Sequence, residues 1–251
     1  MRYTLLIALV AATLAQSGTI RVQRRSSSGS LPTFVQDAKS TSGSPRSAPS
    51  ITATVTTGNT LILSINGSQN VAWNFDTGGF PGVCTDGVND AKYTLDANQV
   101  SGAASTVRTG IVRAFNVTGG SLTITCHLTA ATYGPLILQE WSPLTAQDGT
   151  TGSDGTAANP QACGSTTTSV GNVVAFSSLA SSNSVGSAGM SVGGTPGTYT
   201  IGTNSVENNG GAFGLGALAY QASGSANTFA PTWDNTLHTS PFAACVTVAY
   251  K

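Results

Sequence analysis

From residue 51 onward, apolar and polar side chains alternate along short stretches of the chain. In the segment 121–128 every even-numbered residue is apolar or cysteine, and every odd-numbered residue is Ser, Thr or His. The same period of two recurs in 51–56, 61–65 and 91–97. Because successive side chains of a strand point to opposite faces, these segments predict strands with one buried face. Thr suits the outward positions because its β-branched side chain fits a pleated, half-wet surface.

No stretch of about 11 residues shows a convincing helical period. The chain therefore falls in the all-β class, and a two-sheet antiparallel β-sandwich of jelly-roll type best fits its length. Gly119-Gly120 and Asn209-Gly210 each predict a hairpin between neighbouring strands. The aperiodic stretches 143–165 and 181–197 predict long surface loops. The predicted strands lie near 32–37, 51–56, 61–65, 71–75, 91–97, 107–117, 121–128, 136–141, 166–169, 172–178, 197–202, 212–220, 227–233 and 243–250.

The first 15 residues have the pattern of an export signal. Arg2 precedes an apolar run from Leu5 to Leu14, and small residues follow at the positions that a signal peptidase reads. That run is shorter than the roughly 20 residues needed to cross a bilayer, and no later stretch is long enough. We therefore predict a signal peptide over 1–15, a flexible Ser- and Arg-rich leader over 16–30, and one β-sandwich domain over 31–251. The protein is expected to be secreted or held at the cell surface.

The chain carries few charges for its length. Ten basic and ten acidic side chains amount to 8% of 251 residues, whereas 30 Ser and 36 Thr make up about a quarter. A nucleic-acid-binding protein needs a basic surface to neutralise phosphates, so that class is excluded. A coiled coil is excluded because its charged heptads are absent. Low charge favours a surface that binds neutral polymers or packs against copies of itself.

Four cysteines in an exported chain predict two disulfides. Four cysteines allow three pairings, and the sequence alone does not choose between them. We favour Cys84 with Cys126 and Cys163 with Cys245, since the second pair would tie the start of the C-terminal half to the last strand. The cysteines and the two histidines do not have zinc-site spacing.

We predict no catalytic residues. Ser191 has the G-x-S-x-G spacing in Gly189-Met190-Ser191-Val192-Gly193, but no helical period follows it, as the strand-to-helix elbow of a hydrolase requires. His127 falls on the outward face of a strand, and His238 lies in a turn-like segment. Glycoside hydrolysis needs two carboxylates about 5 to 10 Å apart. The chain has only two glutamates, and Glu140 is expected to form a structural pair with Arg108 or Arg113.

Two groups of residues could bind a ligand. Asp86, Asn89 and Asp90 lie within one turn and could hold Ca²⁺ through their oxygens, although Asp and Asn also cap turns through backbone hydrogen bonds. Aromatic and polar side chains adjoin at three other places, which is the chemistry of sugar binding, although tryptophan is also a core residue. These candidate ligand-binding residues are Trp73, Asn74, Asp76, Gln139, Trp141, Trp233, Asp234, Asn235 and His238.

Three motifs in order along the chain resemble those of a known group of proteins. They are a Thr85-Asp86 hairpin ending at Tyr93-Thr94, an Ala114-x-Asn116-Val117-x-Gly-Gly turn, and Glu140-Trp141-Ser142 at a strand end. The order resembles a loosely defined group of exported bacterial β-sandwich proteins with a lectin-like jelly-roll fold, of the concanavalin A type. The resemblance covers roughly residues 31–251 and implies fold and export, but no activity. It departs from that group at Asn89-Asp90 and in its four cysteines.

These observations predict a secreted binding module without catalytic activity. Its expected partner is an extracellular glycan or cell-surface polymer, so that the function is carbohydrate binding or adhesion. The first alternative is a structural subunit of an extracellular filament or coat, in which a strand is donated to a neighbouring copy. The second alternative is a glycan-active hydrolase centred on Glu140 or His238. No cofactor is expected apart from a calcium ion.

Overall fold

A computed structural model of the chain describes residues 30–40, 44–68, 72, 74–76, 78–101, 107–181, 190–208, 215–236 and 244–251. These residues form seventeen strands and a single turn of 3₁₀ helix at Asp90–Lys92. All strand pairs are antiparallel, so the all-β prediction is confirmed. The described strands form four sheets rather than the predicted two. The predicted signal peptide and nearly all of the leader lie outside the described residues.

The first eight strands form two sheets. The five-stranded sheet has the order β1-β8-β3-β6-β5, and the three-stranded sheet has the order β2-β7-β4. The strands are β1 (Phe34–Lys39), β2 (Ser50–Val55), β3 (Thr60–Ser68), β4 (Cys84–Thr85), β5 (Thr94–Val100), β6 (Val107–Ala114), β7 (Gly120–Cys126) and β8 (Leu136–Trp141).

The remaining nine strands form the other two sheets. One is five-stranded with the order β14-β15-β12-β17-β9, and in the other β16 pairs with β10, β11 and β13. The strands are β9 (Gly152–Asp154), β10 (Gln161–Ala162), β11 (Thr166–Thr167), β12 (Val173–Ser181), β13 (Met190–Thr195), β14 (Thr200–Asn208), β15 (Leu215–Ser223), β16 (Thr228–Asn235) and β17 (Ala244–Tyr250).

The four sheets stack as layers, with a five-stranded sheet from each half in the middle. One apolar cluster joins the three-stranded sheet to one face of the first five-stranded sheet, through Leu61 and Leu63 of β3. Ile62 of β3 points the other way and packs against Phe176 of β12 in a second cluster between the halves. A third cluster lies between the C-terminal five-stranded sheet and the outer sheet around β16. Both middle sheets are therefore covered on two faces.

The two halves correspond strand for strand. In the first half β3 lies between β8 and β6, with β1 and β5 at the edges; in the second half β12 lies between β17 and β15, with β9 and β14 at the edges. The outer strands correspond as well, because β7 pairs with β2 and β4 just as β16 pairs with β11 and β13. Strand β10 has no counterpart among the described strands. The outer sheets of the two halves are thus equivalent and lie on opposite sides of the stack.

The structure corrects three local predictions. Gly119-Gly120 does not close a hairpin, because β6 belongs to the five-stranded sheet and β7 to the three-stranded one. A side chain at Gly119 would collide with the backbone of residues 55–57, and Gly120 has a φ of 127°, which explains two glycines in a turn that crosses between sheets. The two segments predicted to be long loops contain β9, β10 and the whole of β13. Strand β3 is buried on both faces, not on one. The Asn209-Gly210 turn lies outside the described residues, but it connects two strands that do pair, β14 and β15.

Both disulfides have the favoured pairing. Cys84 and Cys126 face each other on β4 and β7, whereas the bond from Cys163 to Cys245 ties the end of β10 to β17. The first disulfide therefore cross-links two strands of one outer sheet, whereas the second ties the other outer sheet to the middle sheet that contains β17. Within the described residues, no helix is long and apolar enough to cross a membrane.

Candidate functional site

The outward side of the three-stranded sheet carries rows of hydroxyl groups. The odd-numbered residues of β7 point outward as predicted, because the even-numbered ones are buried. Thr52 on β2 lies opposite Thr123 on β7, and their Oγ1 atoms are 3.0 Å apart. We call this surface the first hydroxyl face; its members are Ser50, Thr52, Thr54, Thr85, Ser121, Thr123 and Thr125. None of these side chains is charged.

An aromatic pair lies at the end of the first hydroxyl face. The ring of Phe80 stacks on the imidazole of His127, with centroids 3.5 Å apart and planes at 2°. His127 Nε2 is also 2.9 Å from the hydroxyl of Thr85. Phe80 is 41% exposed, which makes it one of five large apolar side chains at the surface of the described residues. An exposed flat ring beside hydroxyl groups is the arrangement that stacks on the apolar face of a sugar.

The segment before Phe80 is held against β7 by backbone hydrogen bonds. The amide of Asp76 donates to the carbonyl of His127 (2.9 Å), and the amide of His127 donates to the carbonyl of Val83 (3.0 Å). The amide of Thr129 donates to the carbonyl of Asn74 (2.9 Å), and the amide of Asn74 donates to the hydroxyl of Thr129 (2.8 Å). The predicted ligand residues Asn74 and Asp76 therefore lie beside the aromatic pair. Their neighbour Trp73 lies outside the described residues.

His127 is neutral at neutral pH. Partial burial lowers the pKa of its imidazole, and the nearby carboxylates of Asp76 and Asp90 oppose that shift without cancelling it. The ring next to Phe80 therefore adds no charge to the first hydroxyl face. The Ser and Thr hydroxyls of this face suit a neutral ligand, because none of them is an ionic group that has to lose its hydration when the ligand binds. The carboxylates of Asp76 and Asp90 lie near the aromatic end of the face.

Two predicted ligand residues, Trp141 and Gln139, are instead part of the interface between the halves. Trp141 is 1% exposed, and its ring packs edge-on against Phe176 and Tyr220. Its Nε1 donates to Gln139 Oε1 (3.3 Å), and Gln139 Nε2 donates to Ser205 Oγ across the interface (2.8 Å). The predicted ligand-binding role is wrong for these two residues, because their strand is covered on both faces.

Trp233 is also a core residue. It is 0% exposed, lies between the two C-terminal sheets, and donates from Nε1 to Ser177 Oγ at 2.9 Å. A ligand-binding role for Trp233 is therefore wrong as well. Asp234 points to the opposite side of β16 and is partly exposed. Asn235 ends β16 opposite Met190, and its side chain, like the whole of His238, lies outside the described residues.

The turn proposed for calcium is closed by its own hydrogen bonds. Asp86 accepts from the amides of Val88 and Asn89 and from the hydroxyl of Tyr93. Asp90 accepts from the amides of residues 86 and 87. Burial disfavours ionisation of Asp86, but the hydrogen bonds that it accepts from Asn89, Tyr93 and Val88 outweigh this and lower its pKa. These carboxylates act as turn caps, and no cluster of metal-binding side chains occurs in the described part of the chain.

Glu140 has a structural environment different from the predicted one. Its carboxylate is fully buried and accepts hydrogen bonds from Gln36 Nε2, the amide of Thr56 and Asn59 Nδ2. The predicted pairing with Arg108 or Arg113 is wrong: Arg113 forms an ion pair with Asp96 (2.7 Å), and Arg108 donates to Asn98. A substrate therefore has no path to the Glu140 carboxylate in this conformation.

The central aromatic residue of the site, Phe80, is not among the residues selected from the sequence. One local signal marks it, namely a large apolar side chain within Thr77-Gly78-Gly79-Phe80-Pro81-Gly82, where a turn offers no core to bury it. Comparison of the chain with protein-family models, curated proteins and solved structures finds no match. The chemistry of this surface is therefore the basis on which a function can be proposed.

Proposed function

We propose that the protein is an extracellular module that binds neutral polysaccharides through the first hydroxyl face. The observation that carries the proposal is the exposed ring of Phe80, stacked on a neutral His127 at the end of an uncharged row of hydroxyls. Ser and Thr hydroxyls both donate and accept hydrogen bonds, as the hydroxyls of a sugar do. Phe80 would stack on a sugar ring while Thr85 and Asn74 bond its edge.

We also propose a jelly-roll fold and an extracellular location. The order β1-β8-β3-β6 in one sheet and β2-β7-β4 in the other agrees with a jelly roll, and the second half repeats it. We therefore propose two fused jelly-roll sandwiches of the lectin-like kind. Two disulfides favour an oxidising compartment, which supports export by the signal-like sequence at residues 1–15.

A polysaccharide microarray with mixed-linkage β-glucan, xyloglucan, galactomannan and dextran tests the binding. Wild type should be retained on at least one polymer. Phe80→Ala should weaken that binding about tenfold, as expected when a stacking residue worth about 1 to 2 kcal/mol is truncated. Val170→Ala is the matched control, because Val170 is 39% exposed and lies in the other half. It should bind as wild type does.

Two results would overturn the proposal. The first is no retention on any neutral polymer, and the second is equal binding by wild type and Phe80→Ala. Electron microscopy of the purified protein then decides whether the alternative of a filament or coat subunit replaces it. Release of reducing sugar from the same polymers would instead favour the hydrolase alternative.

A further inference from the structure

The second outer sheet repeats the main chemical feature of the first. On β11 and β16, the strands equivalent to β2 and β7, Thr167 lies opposite Thr228, and their Oγ1 atoms are 3.0 Å apart. This equals the Thr52 to Thr123 distance in the first half. We call this surface the second hydroxyl face; its outward hydroxyl residues are Thr167, Ser191, Thr195, Thr228 and Thr232.

The two hydroxyl faces point in opposite directions. Two five-stranded sheets lie between the outer ones, and packed sheets are about 10 Å apart, so the faces are separated by about 30 Å. One extended polymer segment cannot touch both without bending around the edge of the stack. Ligands on the two faces are therefore separate chains, or distant segments of one chain.

The second hydroxyl face suits the same class of ligand as the first. Its outward residues on β11, β13 and β16 are Thr, Ser, Gly and Ala, apart from Asp234, which lies near one end. An anionic polymer would be repelled by Asp234, and a cationic one would find a single carboxylate. Neutral hydroxyl-rich polymers match both faces, although an exposed aromatic ring is absent from the described outward residues of the second.

We infer that the protein is bivalent and cross-links neutral polysaccharides, with one polymer on each hydroxyl face. This inference rests on the proposed function and adds a second site to it. The duplicated architecture positions both sites rigidly, because the halves share a continuous buried interface.

Dynamic light scattering tests the inference. The full protein is mixed with the one of the four polysaccharides that retains it most strongly on the microarray. Wild type should raise the particle radius several-fold when the protein is present in fewer copies than the binding sites on the polysaccharide. Thr228→Arg places a large cation on the second hydroxyl face and should abolish this growth while microarray retention persists. Ser225→Arg adds the same charge in an exposed turn of the same half and should cross-link as wild type does.

The possible failures can be told apart. Absence of binding by wild type overturns the proposed function and, with it, cross-linking. Binding without particle growth overturns only bivalence. If particle growth is the same with Thr228→Arg as with wild type, the second hydroxyl face is not a binding site. Circular dichroism of each variant excludes misfolding as the cause of a loss of particle growth.

Discussion

Ser64 Oγ lies 2.5 Å from Ser178 Oγ at the point where the central strand of one half faces the central strand of the other. Asn66 and Thr109 complete this polar cluster within the apolar interface. Asn66 Nδ2 donates to Ser64, and Asn66 Oδ1 accepts from Thr109 and Ser178. All four side chains are buried and hydrogen-bonded, so the cluster specifies how the two middle sheets align.

Removing the amide of this cluster should destabilise the whole stack. Asn66→Ala leaves the hydroxyls of Thr109 and Ser178 without one acceptor, and a buried unsatisfied group costs about 1–3 kcal/mol. Urea unfolding should show that loss in the free energy of unfolding. Thr52→Ala, at an exposed hydroxyl, should change it by less than about 0.5 kcal/mol. Equal stability of the two variants would contradict the role given to Asn66.

Loss of either disulfide should lower stability by a similar amount. The cross-links close loops of 42 and 82 residues. Chain entropy predicts about 4 kcal/mol for each, and doubling the loop adds only about 0.6 kcal/mol. We expect the Cys84→Ala/Cys126→Ala and Cys163→Ala/Cys245→Ala variants to unfold at clearly lower urea concentrations. Oxidised wild type is the reference, and a variant as stable as wild type would show that its disulfide does not stabilise the fold.

Acid should weaken the fold through Asp86 and Asp148. Burial opposes ionisation of Asp148, but hydrogen bonds from Ser169 and Val170 and the charge of Lys251 lower its pKa, as hydrogen bonds do for Asp86. A lowered folded pKa contributes stability above the ordinary value of about 3.9, and this is lost as the pH falls through the folded value.

Asp86→Asn and Asp148→Asn should therefore be less stable than wild type at pH 6, and the difference should narrow as the pH falls below about 4. Urea titrations at a series of pH values measure this. Curves that stay parallel to that of wild type down to pH 2 would show that these carboxylates do not contribute to acid sensitivity.

His127 should support Phe80 as a neutral partner. His127→Ala removes the ring against which Phe80 stacks, and a loss of about 1 kcal/mol would weaken polysaccharide binding about fivefold. The imidazole of wild type should titrate below about 6.5 in an NMR experiment, since burial lowers its pKa. Titration above that value, or unchanged binding by His127→Ala with the fold intact, would contradict this arrangement.

The candidate site shows where prediction from the sequence reached its limit. The sequence selects Asn74 and Asp76, and both lie beside the aromatic pair, because hydrogen bonds hold their segment against the residues that follow β7. Trp141 and Trp233 have the same local chemistry but are buried. Whether a strand is covered on one face or on both depends on segments that are distant in the chain. The exposure of an aromatic ring therefore could not be predicted from the residues next to it in the sequence.

Strands covered on both faces have a sequence pattern of their own, but in this chain it can be mistaken for the alternation of apolar and polar residues in a half-exposed strand. Strands β3, β8, β12 and β17 are buried at every position, as expected for strands covered on both faces. Small polar residues such as Ser64 and Ser178 interrupt their apolar runs, and in β3 Ser64 and Asn66 alternate with Leu63 and Ile65 as in a half-exposed strand. The interruptions are instead the buried hydrogen-bonded cluster between the halves.

The sequence by itself determined the all-β class and the outward direction of the threonines on β7, because the period of a strand is a local property. The pairing of the four cysteines was decided by the structure, because each disulfide joins segments far apart in the chain. Only the tertiary structure decided that β6 and β7 belong to different sheets, that the chain forms two equivalent halves, and that Phe80 rather than a tryptophan is the exposed ring. These outcomes depend on which sheet covers which, and that is set by the burial of apolar area between segments far apart in the chain.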